Sequence, residues 1–271
     1  MDKELSILVL SCDTYSDLWN DFFNLRDLYW PDTTIKWYLV TEYKDFQRDH
    51  LQVIKCGSKS WSSRFRNAVK VIETQYIGVF LDDYFIESAV DSTKIMDLVS
   101  LMRHEHVTYI NMGDMYNSIV SMPNKKYFCS NLIQIPNHKK YGISMMPAIW
   151  DRDFLLSKLG DGDYSAWQFE IDRCKEAESE SGLGGMLLCD ENKSFNVSKV
   201  PIVIQGKFYP AGIQYYKRKG YIINTRERDM MSYREVMIYN LKVIMSRINF
   251  LRKPLKWLAK NVFRIKFFTD N

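Results

Sequence analysis

The stretch Tyr76-Ile77-Gly78-Val79-Phe80-Leu81-Asp82-Asp83-Tyr84-Phe85 constrains the fold most. An apolar run of that length, rich in Val, Ile and aromatic side chains, suits a strand covered on both faces. It ends abruptly in two adjacent carboxylates. Ligands of open α/β sheets bind outside the carboxyl ends of the strands, and Asp82 and Asp83 would stand there. Neighbouring carboxylates repel one another and invite a divalent cation or a sugar hydroxyl between them. The plainer alternative is a turn, since Asp is common where a strand ends.

The flanking sequence builds an α/β order. Leu5–Ser11 reads as a first buried strand. A helix opens near Ser16 or Asp17, with Leu18, Phe22, Leu25 and Tyr29 on one face, and Pro31 closes it. Ile35–Val40 is a second strand, which makes a βαβ unit and hence a parallel pair. Leu51–Lys55 is a short third strand, and Ser62 or Ser63 caps the helix after it. Asp91 and Ser92 open another helix, and Val107–Met112 is a further strand. Between Gly113 and Tyr141, Pro and Asn residues punctuate the chain, so loops and an antiparallel hairpin are expected.

Beyond the hairpin, Tyr141–Ile149 reads as strand and Asp151–Leu159 as a helix stopped by Gly160. Ser165 and Gln168 fit a capping box, which places Glu170 and Asp172 in the first turns of the next helix. Glu176–Gly185 reads as a polar, mobile loop, Val200–Ile204 as strand, and Lys207–Lys219 as a basic, Tyr-rich loop. From Ser232 the chain turns helical. The fold class expected is α/β, a mixed, mainly parallel sheet flanked by helices over residues 1–230, with a basic helical extension over 231–271.

The net charge of +4 is unevenly placed. Leu241 to Asn271 holds eight Lys/Arg and one acidic residue, which leaves 29 basic against 32 acidic elsewhere. Basicity therefore belongs to the tail, and a nucleic-acid partner is not expected. The five cysteines are scattered without a CxxC pair, as in a reducing compartment. His104 and His106 would point to different sides of a helix and share no metal. Ile7–Leu10 is too short for a secretory h-region, and no run reaches the roughly 18 apolar residues of a membrane span.

With these elements placed, the sequence resembles bacterial glycosyltransferases of the GT-A type that build capsule, O-antigen and other surface polysaccharides. The matching segments are Ser11–Trp19, Trp30-Pro31-Asp32, Tyr38–Thr41, Trp61–Arg64, Leu81–Phe85, Pro147–Trp150 and Trp167–Glu170. They cover roughly residues 5 to 175 in the family's order. The resemblance implies a GT-A-like fold, a nucleotide-sugar donor, by family habit UDP-linked, and a glycan or lipid-linked glycan acceptor. It also implies Mn²⁺ or Mg²⁺. Asp82–Asp83 would stand in for the family's DxD motif, although Tyr84 occupies the place of its second Asp. Asp83 is the expected metal ligand, with Asp82 on the ribose or donor sugar.

Further roles follow. Ser11, Asp13 and Thr14 after the first strand are expected to hold the nucleoside. Against this stands helix capping by Asp13 or Ser16. Arg64, with Ser62 and Ser63 at a helix start, is expected on the donor diphosphate, with Arg66 competing; the alternative is a solvated helix face. Glu170 is expected as the general base of an inverting transfer, with Asp172 as second choice, and Trp150 and Trp167 as stacking platforms for the acceptor. The bland reading makes Glu170 a helix-dipole partner and both tryptophans core. In the tail, Lys and Arg alternate with Trp, Phe and Leu, a pattern that lies on anionic membrane surfaces. The setting expected is therefore cytoplasmic and peripheral, on the inner face of the cell membrane. Two other readings compete: a sugar-phosphate nucleotidyltransferase, and a non-catalytic membrane-associated protein that binds nucleotide or glycan.

Overall fold

The structure is a computed structural model that describes residues 4–32, 34–114 and 118–247. It divides into two compact units, Met1–Pro201 and Ile202–Asn271. The division falls earlier than the boundary at 230 expected from sequence. Most of the basic tail assigned to a membrane surface lies outside the described residues.

The first unit opens with β1 (Leu5–Leu10), whose six residues are all buried. A 3-10 turn over Asp13–Tyr15 leads into α1 (Ser16–Tyr29). Then come β2 (Lys36–Thr41), β3 (Leu51–Lys55), α2 (Trp61–Val71) and β4 (Tyr76–Leu81). Next are α3 (Ser92–Glu105), β5 (Tyr109–Asn111), and the hairpin β6 (Tyr127–Cys129) and β7 (Leu132–Gln134). The unit finishes with β8 (Ala148–Asp151), α4 (Arg152–Leu159), α5 (Ala166–Ala177) and β9 (Leu187–Asp190).

These strands form one sheet in the order β3-β2-β1-β4-β8-β5-β9-β7-β6. β1 pairs in parallel with both β2 and β4, and β2 with β3. β8 runs against both β4 and β5, and β5 and β9 are parallel. The result is a mixed, mainly parallel sheet flanked by helices. Strands β3, β2, β1, β4, β5 and β9 all point one way, and their carboxyl ends make one rim.

Both faces are covered, as the apolar runs require. Trp37 and Phe80 meet α1, where Phe22 touches Phe23, Trp37, Phe80 and Phe85 at ring-centroid distances of 5.1–6.4 Å. On the other face Leu8, Leu10, Val40, Ile77 and Val79 meet Phe65 and Val69 of α2, Leu155 of α4 and Phe169 of α5. Gly78 keeps the first face tight: a Cβ there would come within 2.4 Å of Ile7 Cδ1 and 3.4 Å of the Phe195 ring.

Several local readings need correction. The α2 cap is Ser60, which accepts from Ser63 N at 3.1 Å, and not Ser62 or Ser63. Tyr141–Ile149 is not one strand: only Ala148 onward pairs, and the residues before it form a loop packed inward through Ile143 and Met145. Ser165 does cap α5, but the Gln168 amide bonds to Asp172 at 2.8 Å instead of reaching back.

The second unit holds β10 (Val203–Ile204) paired with β11 (Lys207–Phe208), then α6 (Pro210–Arg218) and α7 (Tyr233–Arg247). The Lys207–Lys219 loop expectation is therefore wrong. Pro210 opens α6, and Gly212 and Tyr216, four apart, are its buried positions. The segment Val200–Ile204 pairs only at its last two residues. At α7 a true capping box forms: Ser232 N donates to Glu235 at 2.7 Å and Glu235 N to Ser232 Oγ. Lys207, with Ser232, holds the Glu235 carboxyl down at about 2. Among the described residues no helix is long and apolar enough to cross a membrane.

Phe22→Ala removes the centre of the aromatic face. It is expected to cost about 3–5 kcal/mol, read as a lower denaturant midpoint at unchanged slope. A loss under about 1 kcal/mol would show that this face is not a close-packed core.

Candidate functional site

Parallel pairing brings the chain ends after β1, β2, β4, β5 and β9 to the same rim of the sheet. β8, running the other way, begins there. The amino terminus of α2, which follows β3, faces the loop before α5, because Ser62 N donates to Tyr164 O at 3.1 Å. Glu170 joins them, since its carboxylate accepts Met145 N at 3.0 Å from the loop before β8.

Asp82 and Asp83 stand at the end of β4 as the sequence implies. Asp82 is buried at 6% exposure. One of its oxygens accepts the Ser11 hydroxyl, and Ser11 in turn accepts Trp19 Nε1 at 2.7 Å. Ser11 is thus a strand-end post that orients Asp82. Asp83 is half-buried in the turn closed by Tyr84 N on Leu81 O at 3.2 Å.

Asp13 is engaged with the neighbouring loop. Its carboxylate accepts the backbone N–H groups of Glu42 at 2.9 Å, Tyr43 at 3.0 Å and Lys44 at 3.1 Å. Glu42 answers by accepting Asp13 N at 3.2 Å and pairing with Arg64 at 2.6 Å. Thr14 is exposed beside Cys12, with Sγ and Oγ1 at 3.1 Å. Sequence reasoning missed Glu42. It follows β2 as Asp82 follows β4, so the same strand-end rule could have found it.

Arg64 reaches the rim with Glu42 on one nitrogen, while its buried Nε has no hydrogen-bond partner among the described residues. Arg66 serves the fold: its guanidinium donates to the carbonyls of Gly160, Asp161 and Gly162. Asp163, also missed from sequence, takes the place at the start of α2 that a phosphate oxygen was expected to fill. It accepts the Ser60 hydroxyl at 2.5 Å and the Ser63 hydroxyl at 2.7 Å, and these bonds hold its carboxyl below the usual range. Only tertiary contact across α4 brings it there, so no local signal marks it.

Burial pushes the Glu170 carboxyl up, partly offset by the Met145 N–H. A carboxylate that holds its proton to higher pH suits a base working near neutrality. Asp172, two residues on, points to a different side of α5, bound to Gln168 and near Lys175 at 3.5 Å. Trp167 is 62% exposed at the start of α5. Trp150 is not: it is 1% exposed, in edge contact with Tyr109 at 4.4 Å, and its platform role is withdrawn.

Among the described residues no three His, Cys, Asp or Glu side chains gather into a metal-holding group. A Mg²⁺-type ion bound with phosphates needs only one or two protein carboxylates. Asp83 and the second oxygen of Asp82 are the groups that could supply them.

The chain matches no protein-family model and no curated protein sequence. Solved structures are matched weakly. A UDP-glucose pyrophosphorylase complexed with UDP-glucose aligns at TM-score 0.41 and 9% identity, over 79% of this chain and 99% of that one. Staphylococcus aureus TarS aligns at 0.41 and 11%, over 76% of this chain and 36% of that one. A cytidylyltransferase from Leptospira borgpetersenii aligns at 0.39 and 12%, over 66% and 74%. At such identities and TM-scores, none of them carries a reaction over to this chain.

Two outcomes follow from the site's own bonds. Asp13→Ala is expected to cost about 1–3 kcal/mol, because three N–H groups lose their acceptor; a neutral denaturation midpoint would contradict the bonding described. For Glu170, burial favours the protonated form in the folded chain. Ionising it therefore weakens folding, an effect absent below the unfolded carboxyl range near pH ~4.3 and full above the raised folded value. Glu170→Gln is expected to melt higher than wild type at pH 7, with the gap closing as pH falls toward 4. A gap independent of pH would show that Glu170 is not desolvated.

Proposed function

We propose that this chain is a GT-A-like glycosyltransferase, moving a sugar from a nucleotide diphosphate donor to a hydroxyl of a glycan or lipid-linked glycan. One observation carries the reading. Glu170, a carboxylate with its proton affinity raised by burial, is bonded to the loop that enters β8, the antiparallel neighbour of the strand whose end carries the oriented Asp82 and its neighbour Asp83. Such an arrangement offers a base for the acceptor beside acids for a metal-bound donor.

In this reading the acceptor hydroxyl gives its proton to Glu170 as its oxygen attacks the anomeric carbon. The bond from that carbon to the diphosphate oxygen breaks, and nucleoside diphosphate leaves with the electron pair. The stereochemistry at the carbon inverts. Asp82, fixed by Ser11, bonds the ribose or donor sugar. Arg64 faces the diphosphate, the loop of Ser11, Asp13 and Thr14 borders the nucleoside, and Trp167 stacks on the acceptor. Asp83 would hold a Mn²⁺ or Mg²⁺ ion, which would supply charge neutralisation to the leaving group. The basic, aromatic tail is assigned to an anionic membrane surface, where a lipid-linked acceptor would be met.

Thermal unfolding against nucleoside diphosphates and nucleotide-sugars, with and without Mn²⁺, tests the reading. Saturating donor at 100 times its dissociation constant is expected to stabilise by about 2.7 kcal/mol. Asp83→Ala is expected to lose the metal-dependent part. Glu170→Gln is expected to keep donor binding and lose turnover by about 10²–10⁴-fold. Release of pyrophosphate from a nucleoside triphosphate and a sugar phosphate would replace this reading by a nucleotidyltransferase, and no shift with any nucleotide would end it.

A further inference from the structure

Beyond β9 the chain turns sharply. Lys193 N bonds to Asp190 O at 3.1 Å, Ser194 N to the Asp190 carboxylate at 2.7 Å, and Asn196 N to Lys193 O at 2.7 Å. The segment then runs back along the residues that follow the acid pair. Ile86 and Val197 form an antiparallel bridge, with Glu87 N on Asn196 O and Ser198 N on Phe85 O, both at 2.9 Å. Ser198 therefore stands against Phe85, and Lys199 follows at the level of Tyr84, next to Asp83. Ser198 Oγ accepts Val200 N at 3.1 Å, so a tight turn fixes Lys199 at its tip. Lys199 is exposed and has no hydrogen bond or ion pair among the described residues.

Lys193 sits at the same rim, past the end of β9 and beside Asp114 at the end of β5. Its backbone is held in the left-handed region at φ 56°, an unusual conformation for a lysine. Burial lowers the Lys193 ammonium first and the nearby Lys199 charge second, against Asp114 and Cys189, which raise it. Two ammonium groups brought together repel unless an anion lies between them.

We infer that Lys193 and Lys199 form an anion site for the diphosphate of the donor, gripping the two phosphoryl groups as charge builds on the leaving nucleotide. The site deepens the transferase reading above and rests on it for the identity of the ligand. It also answers a want in the rim. Arg64 is shared with Glu42, and Asp163 occupies the start of α2, so the cations that sequence reasoning assigned to the phosphates are partly engaged.

Full-length wild type, Lys199→Gln and the Lys193→Gln, Lys199→Gln double variant are titrated calorimetrically with UDP, GDP, CDP, uridine and inorganic pyrophosphate, each with and without Mn²⁺. Lys199 is exposed, so its single variant is expected to fold as wild type. The expected result is a loss of at least about tenfold in affinity for the diphosphate that wild type binds, and for pyrophosphate, in Lys199→Gln. Any uridine binding stays unchanged, and the slope of affinity against salt falls. Diphosphate affinity within twofold of wild type in both variants overturns the inference while leaving the transferase reading in place. Wild type that binds pyrophosphate, lysine-dependently, but no nucleotide supports the anion site and sinks the transferase reading. Wild type that binds neither overturns both.

Discussion

Parallel pairing of β1 with both β2 and β4 is the constraint from which the rest follows. Parallel neighbours cannot be joined by a tight turn, so each connection crosses the depth of the sheet and both faces fill with helix. The carboxyl ends then collect on one rim, and their loops must satisfy each other. Asp13, after β1, takes the N–H groups of residues 42–44, and Glu42, after β2, takes Asp13 N and Arg64 of α2. Three elements distant in sequence are locked by two carboxylates.

The central strands are legible from sequence because burial on both faces leaves unbroken apolar runs at β1, β2 and β4. The same signal misleads at Tyr141–Ile149. Ile143 and Met145 are buried by covering, not by pairing, and hydropathy does not distinguish the two. At Lys207–Lys219 the basic and tyrosine content hid a helix whose buried positions are only Gly212 and Tyr216. For the candidate site, the placement of Asp82 and Asp83 at a strand end and of Glu170 early in a helix was readable. Trp150 was not, because a tryptophan's identity says nothing of which way its strand faces. Asp163 was unreadable for another reason: its partners lie about a hundred residues away.

The rim's acids divide by what holds them. Asp163 is bound by the Ser60 and Ser63 hydroxyls, which favour its charged form, while Asp13 and Glu42 are held by backbone N–H groups and, for Glu42, the Arg64 guanidinium. Glu170 receives one N–H and is otherwise desolvated, so its charged form is disfavoured. Environments that push like groups apart in proton affinity separate acids that only build from an acid that can exchange a proton.

The short joint between α4 and α5 has a mechanical consequence. Its carbonyls at 160–162 rest on the Arg66 guanidinium, and Ser62 clasps Gly162 and Tyr164 from α2. A loop of free glycines would act as a slack cord between the two helices. Pinned this way it is a stiff linkage, and α5 is its lever arm. The first turn of α2 and the start of the helix that carries Glu170 are thereby tied through one set of hydrogen bonds.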